Sequence, residues 1–137
     1  MFRSSHRVYY EHTDSGGVVY HSNYLNFMER CRCDWLEAIG HDVVSLEQNH
    51  QLQWVVKQAD VIFHAPARLF DELTVSCEVL HVGKVKLEVQ QAVYNGAELL
   101  CSARIKLATL NSTSFKLTAM PKALIEAMRK GEMGDEM

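Results

Sequence analysis

The sequence has no apolar run that approaches the ~20 residues needed for a helix to cross a membrane. Residues 1–6 lack the apolar core of a secretory signal peptide. There is no basic excess either, and the formal net charge of −3 argues against a nucleic-acid-binding protein that relies on a general positive field. Internal repeats and linker-like stretches are also missing. These absences favour one globular domain over residues 1–137, located in the cytoplasm, with neither a membrane span nor a nucleic-acid partner.

The motifs of several enzyme classes are missing as well. The seven histidines show neither HxxxH nor HExxH spacing, so we expect no metal site. The Gly-x-Ser-x-Gly elbow of serine hydrolases and a glycine-rich phosphate-binding loop are both absent. The four cysteines form no CxxC pair. Cys31, Cys77 and Cys101 fall at apolar positions and are expected to be buried, reduced thiols, whereas Cys33 lies off that pattern. The sequence therefore predicts chemistry without a metal ion or a bound cofactor.

One long helix is predicted over residues 22–39. Apolar residues recur there at helical spacing and form a single stripe. Ser22 or Asn23 is suited to cap the start of the helix, and Gly40 lies just beyond its end. The stripe consists of Tyr24, Phe27, Met28, Cys31, Trp35, Ala38 and Ile39. Such a stripe indicates that one face of this helix is buried in a core.

Beyond Leu52 the apolar residues change from the helical repeat to the alternation of strands. Asn95-Gly96 is a strong hairpin signal, so we expect the last three strands to form an antiparallel meander. Residues 40–51 are predicted to be irregular, and Pro121 is suited to start a last, short helix. The predicted strands cover residues 7–11, 54–64, 73–79, 85–94 and 99–107, the second of them covered on both faces. This order predicts an α+β fold, with a five-stranded antiparallel sheet wrapped around one long helix.

The stretch from residue 12 to residue 24 connects a predicted strand to the long helix and carries a lone carboxylate. It reads His-Thr-Asp-Ser-Gly-Gly-Val-Val-Tyr-His-Ser-Asn-Tyr. Asp14 precedes the Gly16-Gly17 pair, and glycine lets a ligand approach the main chain closely. The free N–H groups of a helix start suit a carbonyl oxygen that gains negative charge, so a carboxylate beside them suits acyl transfer. The same residues are also typical of an ordinary turn, in which Asp bonds to its own backbone.

Together with Phe27-Met28-Glu29-Arg30, this stretch resembles the signature of the hotdog-fold acyl-CoA thioesterases of the 4-hydroxybenzoyl-CoA thioesterase-like family. It is particularly similar to the bacterial acyl-CoA thioesterases associated with the Tol–Pal system, which carry Asp-Thr-Asp-Ala-Gly-Gly-Val-Val-Tyr-His before a tyrosine and a Glu-Arg pair. The sequence departs from that run with His12 for the first Asp and Ser15 for Ala. Residues 115–121 resemble the end of these proteins but lack the first of two prolines.

The resemblance implies a site for hydrolysis of an acyl thioester. Asp14 matches the catalytic carboxylate, which acts as a nucleophile on the thioester or as a general base for water. His21 matches the position whose backbone N–H polarises the thioester carbonyl, and its imidazole is a further candidate for proton transfer. Lys84 matches one basic position that holds the phosphates of coenzyme A, but the two neighbouring basic positions are Val82 and Gly83 here.

The resemblance also implies a homo-oligomer, either a dimer or a tetramer, that acts on an acyl-CoA or an acyl-carrier-protein substrate. Pairing of sheet edges between copies would protect those edges. Two other functions stay open at this point. A hydratase or dehydratase of acyl thioesters would use Asp14 and His21 to move a proton at carbon. A non-catalytic module would bind acyl chains only and has no need for the carboxylate of Asp14.

Overall fold

The structure, a computed structural model, describes residues 1–132. It consists of five strands, three α-helices and a short 3-10 helix at Tyr10–His12. The strands are β1 (Phe2–Arg7), β2 (Leu52–Phe63), β3 (Glu72–Val82), β4 (Lys86–Asn95) and β5 (Glu98–Asn111). The helices are α1 (Ser22–Ala38), α2 (Val43–His50) and α3 (Lys122–Glu132). No helix within these residues is long and apolar enough to span a membrane.

The five strands form one antiparallel sheet in the order β1-β3-β4-β5-β2. The predicted meander of the last three strands is confirmed. Its second turn is the predicted hairpin at Asn95-Gly96, where Asn95 pairs with Glu98 and Gly96 adopts a φ of 59°. Glycine suits this position because a left-handed φ is strained for other residues. The two strands that flank α1 in the sequence, β1 and β2, therefore become the two edges of the sheet.

Helix α1 lies on one face of the sheet and packs against β1, β3 and β4. The predicted apolar stripe is confirmed from Tyr24 to Trp35, and Phe27, Met28 and Cys31 are completely buried. At its end the prediction is wrong, because Ala38 is exposed and Ile39 is only partly buried. Burial of each large apolar side chain contributes roughly 1.5–3 kcal/mol, so this face is a major source of stability. The Cys31 thiol also donates a 3.4 Å hydrogen bond to the carbonyl of Val75 in β3. All four cysteines are free thiols. Cys31, Cys77 and Cys101 are buried, as predicted, whereas Cys33 is only partly buried.

The predicted bounds of the first strand and the predicted irregular state of residues 40–51 are wrong. The first strand runs over Phe2–Arg7 instead of residues 7–11, because its polar residues pair with β3 and the chain then turns into the 3-10 helix. The segment predicted to be irregular contains α2. The Asp42 carboxylate caps that helix by accepting hydrogen bonds from the backbone N–H of Ser45 at 2.7 Å and from its hydroxyl at 3.0 Å.

Strand β2 was predicted to be covered on both faces, but most of its residues are exposed. The reason is its place in the sheet, because β2 is an edge strand that pairs only with β5. Three of its apolar side chains are about half exposed, with values of 51% for Val56, 59% for Ile62 and 51% for Phe63. A long edge with apolar side chains is a surface that proteins normally cover.

Candidate active site

The Asp14 loop is a tight turn closed by its own backbone. The Asp14 N–H donates to the carbonyl of Val18 at 2.9 Å, and the Gly17 N–H donates to the carbonyl of Asp14 at 3.1 Å. Gly17 has a φ of 79°, so a residue with a side chain would be strained there. The Gly16 N–H donates to Asp14 Oδ1 at 2.8 Å, which makes the turn the Asp-backbone type that the sequence also indicated.

This turn leaves part of the Asp14 carboxylate available. The side chain is exposed, and within residues 1–132 only the Gly16 N–H hydrogen-bonds to it, through Oδ1. A Cβ atom at Gly16 would lie 3.3 Å from Oδ1, so glycine lets the carboxylate rest against the main chain. One carboxylate oxygen is thus held in place while Oδ2 faces solvent without a protein partner in the described chain.

The loop is fastened to the first turn of α1. The carbonyl of His12 accepts hydrogen bonds from the N–H of Tyr20 and from the Asn23 side-chain amide, both at 2.9 Å. The Val19 N–H donates to the carbonyl of Ala67 at 2.9 Å, which ties the loop to the chain after β2. Asp14 and the start of the helix therefore belong to one connected unit, as the sequence predicted.

The start of α1 has unpaired backbone donors. The residue at the N-cap is His21, with φ −53° and ψ −36°, and its side chain makes no capping hydrogen bond. Side-chain capping by Ser22 or Asn23 is therefore wrong, and the Asn23 side chain instead donates to the carbonyl of His12. In the described part of the chain the N–H groups of His21 and Ser22 have no acceptor. These two donors are free to bind an oxygen atom of a ligand.

The His21 ring lies among aromatic side chains. Its centroid is 4.3 Å from that of Tyr20 and 6.3 Å from that of Phe63, which also lies 5.6 Å from Tyr24. No hydrogen bond to the imidazole is present among residues 1–132, and the side chain is exposed. The ring therefore packs against aromatic side chains, and the backbone N–H of His21 is an unpaired donor at the start of α1.

His12, at one of the two positions that depart from the family's motif, is buried beneath the loop and only 3% exposed. Its Nδ1 accepts a 2.9 Å hydrogen bond from the Tyr9 N–H, and its ring meets Phe27 edge-on at 4.8 Å. Because Nδ1 accepts, the proton of the neutral ring is on Nε2, which has no hydrogen-bond partner among the described residues and lies 3.9 Å from Glu11 Oε2. Burial lowers the pKa of His12, so the neutral ring is favoured.

Lys84 lies far from Asp14 of the same chain. It is exposed in the turn between β3 and β4, two residues before Lys86, which pairs with Ala108 of β5. The Asp14 loop is anchored to the chain just beyond the other end of β2, near Cys101 of β5. Cys101 and Ala108 are seven residue steps apart along β5, which corresponds to roughly 23 Å. The structure does not bring Lys84 together with Asp14 and His21 within one chain.

A cavity of about 580 Å³ lies beside the second half of α1 and is not lined by Asp14. Its walls come from α1, α2, the exposed edge strand β2 and the middle of the sheet. They include Arg32, Cys33, Leu36, Trp54, Leu87 and Leu107. The sequence analysis did not identify this cavity, because its walls are scattered along the chain and no spacing connects them. Its volume is in the range of small-molecule sites.

No group of three His, Cys, Asp or Glu side chains within residues 1–132 is arranged to hold a metal ion. The loop and the start of α1 offer one carboxylate, two unpaired backbone donors and the exposed imidazole of His21. A carboxylate delivers or activates a nucleophile, and backbone donors stabilise an oxyanion. This donor set suits attack on an acyl carbonyl.

Comparison with known sequences identifies the family. The profile of the thioesterase superfamily matches residues 16–102, a range that begins two residues after Asp14. The acyl-CoA thioesterase YbgC of Haemophilus influenzae is 37% identical over 116 residues, covering 85% of each chain. The acyl-CoA thioester hydrolase YbgC of Escherichia coli is 33% identical over 131 residues, covering 95% of this chain and 97% of the other.

Solved structures agree with this assignment. A probable thioesterase from Bartonella henselae superposes with a TM-score of 0.83 at 29% identity, over 87% of this chain and 98% of that one. A DHNA-CoA thioesterase from Staphylococcus aureus superposes with a TM-score of 0.90 over 96% of this chain and 91% of that one, and at 20% identity it shows the fold alone. The chain therefore has the hotdog fold, belongs to the thioesterase superfamily and is a thioester hydrolase.

Proposed function

We propose that the protein is an acyl-CoA thioesterase in which Asp14 delivers the attack on the thioester. The observation that carries the proposal is the Asp14 carboxylate, held by Gly16 through Oδ1 and free at Oδ2. The names of the relatives from H. influenzae and E. coli support acyl-CoA as the substrate class. An acyl-carrier-protein thioester presents the same reacting group and is the alternative substrate.

Two routes use this carboxylate, and both convert the thioester and water into a free acid and a thiol. As a general base, Asp14 takes a proton from water while the water oxygen attacks the carbonyl carbon, and the C–S bond then breaks. As a nucleophile, Asp14 first forms a mixed anhydride and releases the thiolate, and water then cleaves the anhydride. In both routes the departing thiolate ends as a thiol by taking up a proton.

The oxyanion that forms in either route needs donors, and the start of α1 supplies them. The unpaired N–H groups of His21 and Ser22 support a role in polarising the thioester carbonyl. The partial positive charge at a helix N-terminus adds to their effect. Because the donor is backbone, His21→Ala should retain most of the activity. A severe loss would instead implicate the imidazole in proton transfer.

We infer that the active form is a homo-oligomer, built from dimers that pair through β2. The exposed apolar residues of this edge, including Val56 and Phe63, support such pairing. Antiparallel pairing of β2 with its copy would place the two ends of the strand opposite each other. The Asp14 loop of one chain would then lie near the cavity beside Trp54 of the other. In that arrangement the acyl group enters a cavity that the partner provides.

The same arrangement bears on Lys84. Since Lys84 lies at the opposite end of the sheet from its own Asp14, it is suited to serve only the site of a partner chain. We therefore propose that Lys84 of a partner chain contacts the phosphates of coenzyme A, so that replacing Lys84 should change KM. The reduced state of all four cysteines supports a cytoplasmic location for the enzyme.

The direct test is thiol release from saturated acyl-CoAs of graded chain length. A thioesterase releases free thiol from them. A hydratase or dehydratase does not turn over a saturated acyl chain by its own reaction, and a binding module releases nothing. Sedimentation at micromolar concentration tests the assembly. A species at the 15.6 kDa mass of one chain would contradict it, and a mass of two or four chains is expected.

A further inference from the structure

The cavity beside α1 contains one cationic side chain in its inner wall. Arg32 is partly buried between the helix and the sheet, whereas the two carboxylates at the cavity, Glu29 and Glu47, are exposed at its rim. Charges exposed to water are screened far more than a charge inside the protein. Arg32 is therefore the charged group of the cavity that water screens least, and the lining also includes the apolar side chains Leu36, Leu87 and Leu107.

Arg32 lacks a close ion-pair partner within residues 1–132, and the charge of Glu29, three residues earlier on α1, acts on it only at longer range. No carboxylate of the described chain lies within ion-pair distance of its guanidinium, and its one hydrogen bond is donated by Nη1 to Gln91 Oε1 at 2.9 Å. Burial lowers the pKa of Arg32, which means that the cation is partly desolvated. A guanidinium has five N–H donors in a rigid fork that matches a carboxylate. Most of these donors remain available.

Gln91 fixes the position of this cation. Its side chain is completely buried, and its Nε2 donates to the carbonyl of Met28 at 3.0 Å and to that of Ser76 at 3.4 Å. With both donors committed to backbone carbonyls, Oε1 is left to face Arg32. A buried glutamine held in this way is a rigid support, so the guanidinium is oriented before any ligand arrives.

We propose that Arg32 binds a carboxylate at the far end of the acyl chain, so that the enzyme prefers monothioesters of dicarboxylic acids over plain alkyl thioesters. The proposal rests on the proposed function, because the acyl group must enter this cavity from the thioester site. The apolar side chains Leu36, Leu87 and Leu107 would contact the methylene chain. Arg32 would then pair with the terminal carboxylate, and Gln91 would act as the residue that positions it.

The test compares two series of CoA thioesters with equal carbon number. One series carries alkanoyl groups of six, eight and ten carbons, and the other carries the matching groups with a terminal carboxylate. For each length, the ratio of kcat/KM between the two substrates is measured on one enzyme preparation. The ratio does not depend on the fraction of folded enzyme. In the wild type we expect the carboxylated substrate to be preferred at the best length by about 10- to 100-fold, the range of a charged hydrogen-bonding pair.

Arg32→Met removes the charge but keeps an unbranched side chain of similar length. It should abolish the preference at that length, and Arg32→Lys should restore part of it. Gln91→Glu should also remove the preference, because it gives Arg32 a carboxylate from the protein itself. Arg30→Met is the matched control, since Arg30 is exposed on the same helix and does not line the cavity. This control should leave the ratio unchanged.

Two results would overturn the proposal. One is a wild-type enzyme that prefers the alkyl substrate at every length. The other is an Arg32→Met variant whose ratio equals that of the wild type, which is expected if a carboxylate of a second copy occupies Arg32. Either result can occur while alkyl thioesters are hydrolysed normally. A failure of the proposed role of Arg32 is therefore distinguishable from a failure of the proposed thioesterase function.

Discussion

Asp14 Oδ1 accepts a 2.8 Å hydrogen bond from the backbone N–H of Gly16, and a Cβ atom on that glycine would lie only 3.3 Å from the same oxygen. This hydrogen bond and the close approach of the two residues together fix the position of the Asp14 carboxylate. The Asp14 carboxylate can occupy this position only because Gly16 has no side chain. This requirement is separate from the backbone flexibility that glycine gives the turn.

We expect Gly16→Ala to move the carboxylate by a few tenths of an ångström and to lower kcat by about tenfold. This is less than the ~10²-fold loss associated with a 1 Å misplacement. Stability should change little, because the backbone of Gly16 has no left-handed φ. Gly17→Ala is the comparison variant. The φ of 79° at Gly17 is strained for alanine, although the space around the residue is open, so this variant should lower stability more than Gly16→Ala does. Steady-state kinetics and urea unfolding separate the two effects, and equal kinetics for Gly16→Ala and the wild type would contradict the account.

A second prediction concerns the buried Gln91. Replacing it with Leu removes three hydrogen bonds, and two backbone carbonyls and the Arg32 guanidinium lose their partner. We expect a loss of about 2–4 kcal/mol in the free energy of unfolding. Gln90→Leu, at the adjacent and only partly buried position of β4, serves as the control and should cost less than about 1 kcal/mol. Similar losses for both variants in urea unfolding would show that the network does not stabilise the fold.

The pH dependence of stability gives a third prediction. Burial lowers the pKa of His12 below its ordinary value of 6.5, so the unfolded chain binds a proton more readily than the folded one. Stability from this group is therefore complete above pH 6.5 and is lost as the pH falls through the lower pKa of the folded state. Protonation also removes the acceptor that Nδ1 offers to the Tyr9 N–H. His12→Asn keeps an acceptor without titrating, so it should lose less stability than the wild type between pH 7 and pH 5. Identical slopes of unfolding free energy against pH would exclude this role for His12.

Catalysis without a metal ion is the fourth prediction. The site offers a carboxylate and backbone donors, and the histidines lack ligand spacing. Extended dialysis against a chelator should leave kcat unchanged. A loss of activity that zinc restores would require a different mechanism.

The sequence predicted the parts of the fold that follow an apolar period. The stripe of α1 and the alternation of the three strands of the meander are repeats that burial on one face imposes. Both are confirmed, except at the end of the stripe, where Ala38 is exposed. The position of strand β1 was predicted wrongly because its residues are largely polar and show no apolar period. These residues form a strand only because they pair with β3. The start of α2 carried a cap signal in Asp42 and Ser45, but the helix is short and its apolar pattern weak.

The site was predictable to a similar, partial extent. Asp14 stood out because a carboxylate, a glycine pair and a helix start are consecutive, and the family resemblance added its role. The pair of Arg32 and Gln91 had no such signal, since the two residues are 59 positions apart and meet only when α1 packs on β4. The same holds for the cavity, whose walls are assembled by tertiary packing.

The measurement that tests the central claim most directly is kcat of Asp14→Asn with a saturated acyl-CoA that the wild type hydrolyses well. Asparagine retains a side-chain oxygen that can accept from the Gly16 N–H, so the turn keeps its shape while the carboxylate is lost. We predict a decrease in kcat of about 10²- to 10⁴-fold with KM nearly unchanged. A correctly folded Asp14→Asn enzyme that retains more than about a tenth of the wild-type kcat falls outside that range. It would show that Asp14 only shapes the turn and that another group delivers the attack.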